Sequence, residues 1–161
     1  MSVDVDGGLA AIRAAGDFEW SWSTGDVVMF SGLMGWHIES ESEYGAIIRT
    51  NFALGLRIAQ SGADEGVVNH INFNISAKPD PDDFPGLAEV AGVFDSLVNM
   101  LTLRLGDPVD GEPVSSIGTR IRWDLPRVVI FLSLVRGVIW VQLANPDWQR
   151  QQEEWDRKFI G

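Results

Sequence analysis

Hydrophobic and polar residues recur with two different periods along the chain, and each change of period marks a new element. Near the N-terminus, Leu9 and Ile12 are three residues apart, which predicts a short helix. Asp6 is placed to cap this helix and Gly16 to end it. From 18 to 22, aromatic and polar residues alternate, which predicts a half-buried strand.

The segment 26–34 fits either a helix or a buried strand, and we favour a short helix. Val27, Phe30 and Met34 would share one face of that helix. The chain then becomes rich in predicted strands, with turns expected near 44–45 and 61–62. These strands cover 36–39, 46–52, 54–59 and 67–77.

The strand over 67–77 has the clearest alternation, with one face apolar and the other polar. We expect the polar face to meet water; it carries His70, Asn72, Asn74 and Ser76. The proline-rich segment 78–86 is predicted to be a loop, because proline disfavours both strand ladders and helix interiors. A long helix follows, ended by Gly106 and Pro108. Its apolar stripe is Leu87, Val90, Phe94, Leu97, Leu101 and Leu105.

The last third of the chain predicts a polar loop over 107–116 and then an antiparallel meander. Its strands cover 119–125, 128–135 and 138–143. Asn145 and Pro146 open a terminal helix that runs to about Phe159. Together these elements predict a single α+β domain over 1–161. It has a mostly antiparallel sheet of six to seven strands, a long central helix packed on the sheet, and short N- and C-terminal helices.

Composition supports a folded and soluble chain, because 45% of the residues are hydrophobic and seven are tryptophan. No apolar run approaches the roughly 20 residues that cross a bilayer. Asp4 and Asp6 stand where a secretory signal would be positively charged. We therefore expect a cytoplasmic protein without a membrane partner. The chain has no cysteine, which excludes disulfides, thiolate nucleophiles and cysteine metal sites.

The net charge of −11 is unevenly distributed. Residues 1–112 hold 18 acidic and 5 basic residues, a net charge of −13, and residues 113–161 have a net charge of +2. Such a field repels nucleic acid and accelerates encounters with a basic protein. The excess charge can also serve solubility alone.

Motifs for catalysis are absent from the sequence. It contains no G-x-S-x-G elbow, no P-loop and no G-x-G-x-x-G turn. Neither His37 nor His70 has a ligand or base partner at a recognisable spacing, and the acidic segment 107–112 lacks the spacing of a calcium loop. We therefore expect no catalytic residues, no metal and no cofactor, with an uncharacterised enzyme as the third hypothesis.

Two acidic clusters are the candidate partner-binding residues. If the strand continued through the first cluster, alternation would place its glutamates on one face. The simpler explanation is a solvated strand end and a solvated loop. The alternative is that both clusters form one docking edge for a basic protein, and this is the functional hypothesis that we adopt. The candidate residues are Glu39, Glu41, Glu43 and Tyr44 in the first cluster and Asp80, Asp82 and Asp83 in the second.

The terminal helix has an aromatic stripe, since Trp148 and Trp155 are seven residues apart and Phe159 follows four later. Core packing is the default explanation. Tryptophan is also a frequent interface anchor, so Trp148 and Trp155 are candidates for a dimer or client contact.

Several short stretches resemble a family of small, acidic actinobacterial proteins of unknown function that is similar to polymorphic-toxin immunity proteins. This resemblance implies a cytoplasmic, non-enzymatic protein that neutralises a secreted toxin by covering the toxin's active site. The alternative is a dimeric secretion chaperone that holds a secreted client. The stretches are Phe18, Trp20 and Trp22, then Gly35-Trp36, Leu105 to Pro108, Arg122-Trp123 and Val141 to Pro146.

Overall fold

The fold was analysed in a computed structural model that describes residues 3–109 and 118–159. The described residues form four helices and seven strands. The helices are α1 (Val5–Asp17), α2 (Thr24–Met34), α3 (Phe84–Leu105) and α4 (Pro146–Phe159). The strands are β1 (His37–Ser42), β2 (Gly45–Arg49), β3 (Ile58–Asp64), β4 (Val67–Asn74), β5 (Gly118–Asp124), β6 (Val129–Val135) and β7 (Val138–Ala144).

The seven strands form one sheet in the order β1-β2-β3-β4-β7-β6-β5, and every neighbouring pair is antiparallel. The first four strands and the last three are two meanders that meet where β4 pairs with β7. Between them, α3 carries the chain to β5 at the far edge. The predicted α+β class, the strand number and the long central helix are confirmed.

Three helices, α1, α2 and α3, pack on one face of the sheet, which we call the helix face. The predicted stripe of α3 is buried there through Val90, Phe94, Leu97 and Leu101. By length and composition alone α3 could also cross a membrane, a property that it shares with the core helices of soluble proteins. The side chains of the sheet that complete this core include Ile48, Ile71, Phe73, Trp123, Ile130, Leu132 and Leu143.

The segment 18–22 is not the strand that its alternation predicts. The carboxylate of Asp26 accepts hydrogen bonds from the backbone N–H groups of Ser21 and Trp22, at 2.6 and 2.8 Å, and so takes donors that a sheet ladder would need. Trp22 adopts a left-handed φ of 61°. Trp20 and Trp22 are both buried in the core, where their rings stack with 4.5 Å between the ring centroids.

The predicted turn at 61–62 lies inside β3, and the chain reverses at Glu65 and Gly66 instead. Both residues have positive φ, 50° and 80°, as the two-residue turn of a twisted hairpin requires. Gly62 has a packing role: a Cβ there would lie 2.6 Å from Cε1 of His70. The strand predicted over 54–59 is shifted along the chain: β3 begins at Ile58 and continues to Asp64.

Helices α1 and α4 each begin where a side chain accepts a hydrogen bond from a free backbone N–H group of the first turn. Asp4, not Asp6, caps α1 by accepting from the N–H of Gly7 at 2.9 Å, and Gly16 lies inside the helix. Asn145 caps α4 as predicted, accepting from the N–H of Asp147 at 3.0 Å. Most of the predicted loop 107–116 lies outside the described residues.

The opposite face of the sheet, here the open face, is less wet than predicted. Asn74 and Ser76 are buried, and the Asn74 amide donates to the Ser76 carbonyl oxygen at 2.9 Å. Ser76 itself pairs with Val3, so the N-terminal segment covers it. α4 covers another part of this face through Trp148, which packs on Val129, Phe131 and Ala144.

Candidate functional site

The first acidic cluster lies on β1, which is an edge strand with a bulge. Ile38 pairs with Ile48 and Ser40 with Ile47, so Glu39 is an extra residue between two ladder pairs. After the bulge, Glu41 stands opposite Ala46, whose side chain is buried on the helix face. The bulge therefore turns Glu41 toward the helices.

The other members of this cluster lie elsewhere on the hairpin. Glu39 pairs with Arg49, with 2.8 Å between Oε1 and Nε. Glu43 and Tyr44 form the exposed turn after the strand ends at Ser42. The three glutamates consequently do not share one face, which corrects the expectation from alternation.

The second acidic cluster lies in the loop before α3, near the β6–β7 turn. Two of its carboxylates accept hydrogen bonds from neighbouring backbone N–H groups. Asp83 caps α3 by accepting from the N–H of Gly86 at 3.0 Å, and Asp80 accepts from the N–H of Asp82 at 2.9 Å. Pro79 lies against Gly137 in the β6–β7 turn. Because β1 and β7 are four strand spacings apart, about 19 Å, the two clusters do not form one docking edge.

The structure brings Glu41 next to an apolar surface of α2 that the sequence analysis missed. Val28, Met29 and Leu33 lie on the outer side of this helix, where Met29 and Leu33 are 66% and 65% exposed. Val28 and Glu41 line the same shallow groove between α2 and β1. We call these residues, Val28, Met29, Leu33 and Glu41, the α2–β1 surface.

Local contacts hold α2 in this position. Asp26 fixes the preceding segment, while Val27 and Phe30 insert into the core. Gly35 ends the helix in a left-handed conformation with φ of 73°. The sequence contains a signal for this surface, because apolar residues occur on every side of a helix over 27–34. Whichever side of the helix is buried, apolar residues remain exposed on the other.

His70 packs between Gly62 and the indole of Trp148, with 5.0 Å between the two ring centroids. Burial lowers the pKa of the imidazole below its ordinary value of 6.5. Its Nδ1 is buried without a hydrogen-bond partner among the described residues. The geometry thus gives His70 a packing role and no carboxylate partner within the described part of the chain.

The two candidate tryptophans of α4 have different surroundings. Trp148 packs within its own chain, on the open face of the sheet. Trp155 is 59% exposed and packs against the equally exposed Phe159, with 4.1 Å between the ring centroids and 37° between the ring planes. Only Trp155 is thus available for a dimer or client contact.

Over residues 3–109 and 118–159, no group of three potential ligands is placed to hold a metal ion. A partly exposed charged network joins β5 to α4. Arg122 donates to Glu153 and, at 2.6 Å, to Asp124. Burial alone would raise the pKa of Glu153, but hydrogen bonds from Arg122 and Gln149 and the positive charge of Arg122 lower it overall. This network holds α4 against the sheet.

The family whose sequence model matches residues 6–145 is DUF6301, a family of unknown function. The chain belongs to DUF6301. The match includes the whole sheet, the α2–β1 surface and the first three helices, and it ends at the residue before α4. No curated protein and no solved structure matches this DUF6301 chain significantly.

Proposed function

We propose that this DUF6301 protein is a non-enzymatic binding module for a basic protein. We further propose that it acts as an immunity protein, which neutralises a bacterial toxin by covering the toxin's active site. The observation that carries the binding role is the α2–β1 surface, where Val28 lines a groove with Glu41 and the same helix exposes Met29 and Leu33. The identity of the partner as a toxin rests on the sequence resemblance.

An apolar centre with a charged border is typical of protein interfaces, because the centre supplies binding energy and the border supplies selectivity. Met29 and Leu33 are one helical turn apart and lie on one side of α2. Val28 on the same helix lines a groove with Glu41, and Glu43 lies in the turn after β1. The arrangement favours a partner with an apolar contact flanked by lysine or arginine.

The overall charge acts in the same direction. The net charge of −11 creates a field that attracts a basic partner from a distance. A catalytic cleft of a toxin that binds nucleic acid or phosphate would be basic, and an acidic protein can cover such a cleft. Binding of this kind needs no cofactor and no metal.

The apolar centre can be tested by substitution. The product of the neighbouring gene is co-expressed as the candidate partner, and its affinity is measured by calorimetry with the wild type and with Met29→Asp/Leu33→Asp. We expect at least a roughly 30-fold loss of affinity, the size of one hot spot of about 2 kcal/mol.

The matched control is Met100→Asp/Leu103→Asp, an exposed apolar pair on α3 that receives the same charges. We expect this control to bind almost as tightly as the wild type. Equal losses for the two double variants, or no loss for either, would contradict the proposed surface. Circular dichroism verifies that both variants are folded.

The exposed aromatic pair of Trp155 and Phe159 favours a second candidate, the dimeric secretion chaperone. Light scattering of the purified protein separates the two functions. A stable dimer that Trp155→Ala/Phe159→Ala converts to a monomer supports the chaperone. A wild-type monomer at micromolar concentration contradicts it and supports the inhibitor.

A further inference from the structure

The open face of the sheet contains a cavity of about 480 Å³ that none of the functions above uses. It extends across the sheet from Leu56, in the connection from β2 to β3, to Arg120 on β5, and its volume is in the range of ligand sites, about 300–1,000 Å³. Its floor belongs to the central strands β3, β4 and β7, and its walls include Leu56, Ile58 and Trp140. The cavity is distinct from the α2–β1 surface, which lies at the helix face and the β1 edge.

A row of carboxamides crosses the floor of this cavity. Gln60 on β3 pairs in register with Asn72 on β4, and Asn72 pairs with Gln142 on β7. Three amide side chains therefore stand side by side, one strand spacing of about 4.8 Å apart. Each carboxamide can donate two hydrogen bonds and accept others without carrying charge.

The Asn72 side chain is the least satisfied of the three. Its Oδ1 is buried and has no hydrogen-bond partner among the described residues. Leaving such a group unpaired costs about 1–3 kcal/mol, which a ligand donor would recover. The row therefore offers unused hydrogen-bonding capacity in a sheltered place.

The charge of the lining separates this cavity from the acidic surface of the protein. None of the described residues that line it is acidic, although the chain carries a net charge of −11. One of them, Arg120, is basic, and its guanidinium lies over the ring of Phe131, 4.2 Å from the ring centroid. The cavity accordingly gives no preference for the basic partner proposed above. With the Arg120 guanidinium stacked on Phe131, the carboxamide row and the apolar walls fit an uncharged ligand that has both hydrogen-bonding and apolar groups.

We propose that this cavity binds an extended, uncharged segment of a protein partner with apolar side chains. The main-chain N–H and C=O groups of such a segment pair with the carboxamides of Gln60, Asn72 and Gln142. Its side chains contact Leu56, Ile58 and Trp140, the last of which is 42% exposed. A saccharide shares the hydrogen-bonding chemistry but has no apolar side chains for the aliphatic walls, so the peptide fits better.

The probe is a random heptapeptide library displayed on phage and selected on the intact protein. We expect the selected peptides to be poor in charged residues and rich in apolar ones. A selected peptide, synthesised with blocked ends, is titrated into ¹⁵N-labelled protein. The side-chain NH₂ signals of Gln60, Asn72 and Gln142 should shift, while those of Asn51, whose amide donates to the Met34 carbonyl oxygen, should not.

Gln142→Leu and Gln60→Leu each remove one carboxamide and keep the approximate size of the side chain. Two variants are used so that the test remains possible if one of them does not fold. Each should weaken peptide binding about 10-fold, as expected for the loss of one or two hydrogen bonds. Gln152→Leu on the exposed side of α4 is the control and should bind normally. Glu41→Lys/Glu43→Lys should also bind the peptide normally, which separates this site from the proposed function.

Three results would overturn the proposal. The first is that no peptide is selected, or that the selected peptides are charged. The second is that the carboxamide signals do not shift, or that both leucine variants bind with unchanged affinity. The third is that neutral disaccharides at millimolar concentration shift these signals whereas the peptides do not.

Discussion

The imidazole of His70 is held between the indole of Trp148 on α4 and the backbone of Gly62 on β3. This contact joins the terminal helix to the centre of the sheet and shields part of the imidazole, including Nδ1, from water. Because burial lowers its pKa, His70 is neutral in the folded protein at pH 7.

Stability should fall as the pH is lowered through 6.5, because the unfolded chain then binds a proton that the folded chain resists. The contribution of His70 has a limiting slope of about 1.4 kcal/mol per pH unit. His70→Phe keeps a ring beside Trp148 and should flatten the slope between pH 5 and 6.5, measured by urea unfolding. Parallel pH profiles for the two proteins would show that His70 does not titrate in this way.

Gly62 is required for the same contact, since a Cβ at this position would overlap the imidazole. We expect Gly62→Ala to destabilise the fold by about 1–3 kcal/mol, as overpacking of a filled site does. Gly55→Ala is the control, because a Cβ at Gly55 meets no atom within 4 Å. Thermal unfolding compares the two, and similar melting temperatures would contradict the packing role.

Glu153 should anchor α4 more strongly than its neighbour Glu154, since it accepts from Arg122 of β5. We expect Glu153→Gln to speed amide hydrogen exchange in α4 roughly five-fold, a loss of about 1 kcal/mol for a half-exposed ion pair. Glu154→Gln, exposed on the same helix, should leave exchange unchanged. Because the pKa of Glu153 is lowered, the difference should persist through the ordinary titration range of glutamate. It should disappear only at lower pH, where Glu153 becomes protonated and the pair is lost in the wild type as well.

Asp83 should affect stability and not partner binding. Asp83 caps α3, so Asp83→Ala should lower the free energy of unfolding by about 1 kcal/mol, measured by chemical denaturation. Asp82→Ala, in the same loop but not a cap, should cost little. An unchanged unfolding free energy for Asp83→Ala would return Asp83 to the list of candidate binding residues.

The fold could be predicted largely because most elements carry their own local period. The predicted stripe of α3 is buried through Val90, Phe94, Leu97 and Leu101, and the predicted alternation of β5 places Trp123 in the core, since helix and strand periodicity decide which side is buried. The strand prediction for 18–22 was wrong because a single carboxylate, that of Asp26, accepts hydrogen bonds from backbone N–H groups that a sheet would otherwise use. No local period reveals that competition.

The candidate site was less predictable because it depends on which strands become neighbours. The bulge at Glu39 decides the side on which Glu41 lies, and it exists only in the pairing of β1 with β2. The separation of Asp80 from Glu41 follows from the strand order. The exposed side of α2 was visible in the sequence as excess apolar residues, but its neighbour was not.

The most direct test of the account is the rate at which the protein associates with its partner at two salt concentrations, for example 50 and 300 mM. Glu41→Lys/Glu43→Lys is compared with Asp80→Lys/Asp82→Lys, which makes the same change of charge at the other end of the sheet. We predict that the first variant associates about 10-fold more slowly at low salt and that this difference shrinks at high salt, while the second variant stays much closer to the wild type. Equal effects of the two variants, or a rate that neither charge nor salt alters, would contradict the claim that a basic partner docks on the α2–β1 surface.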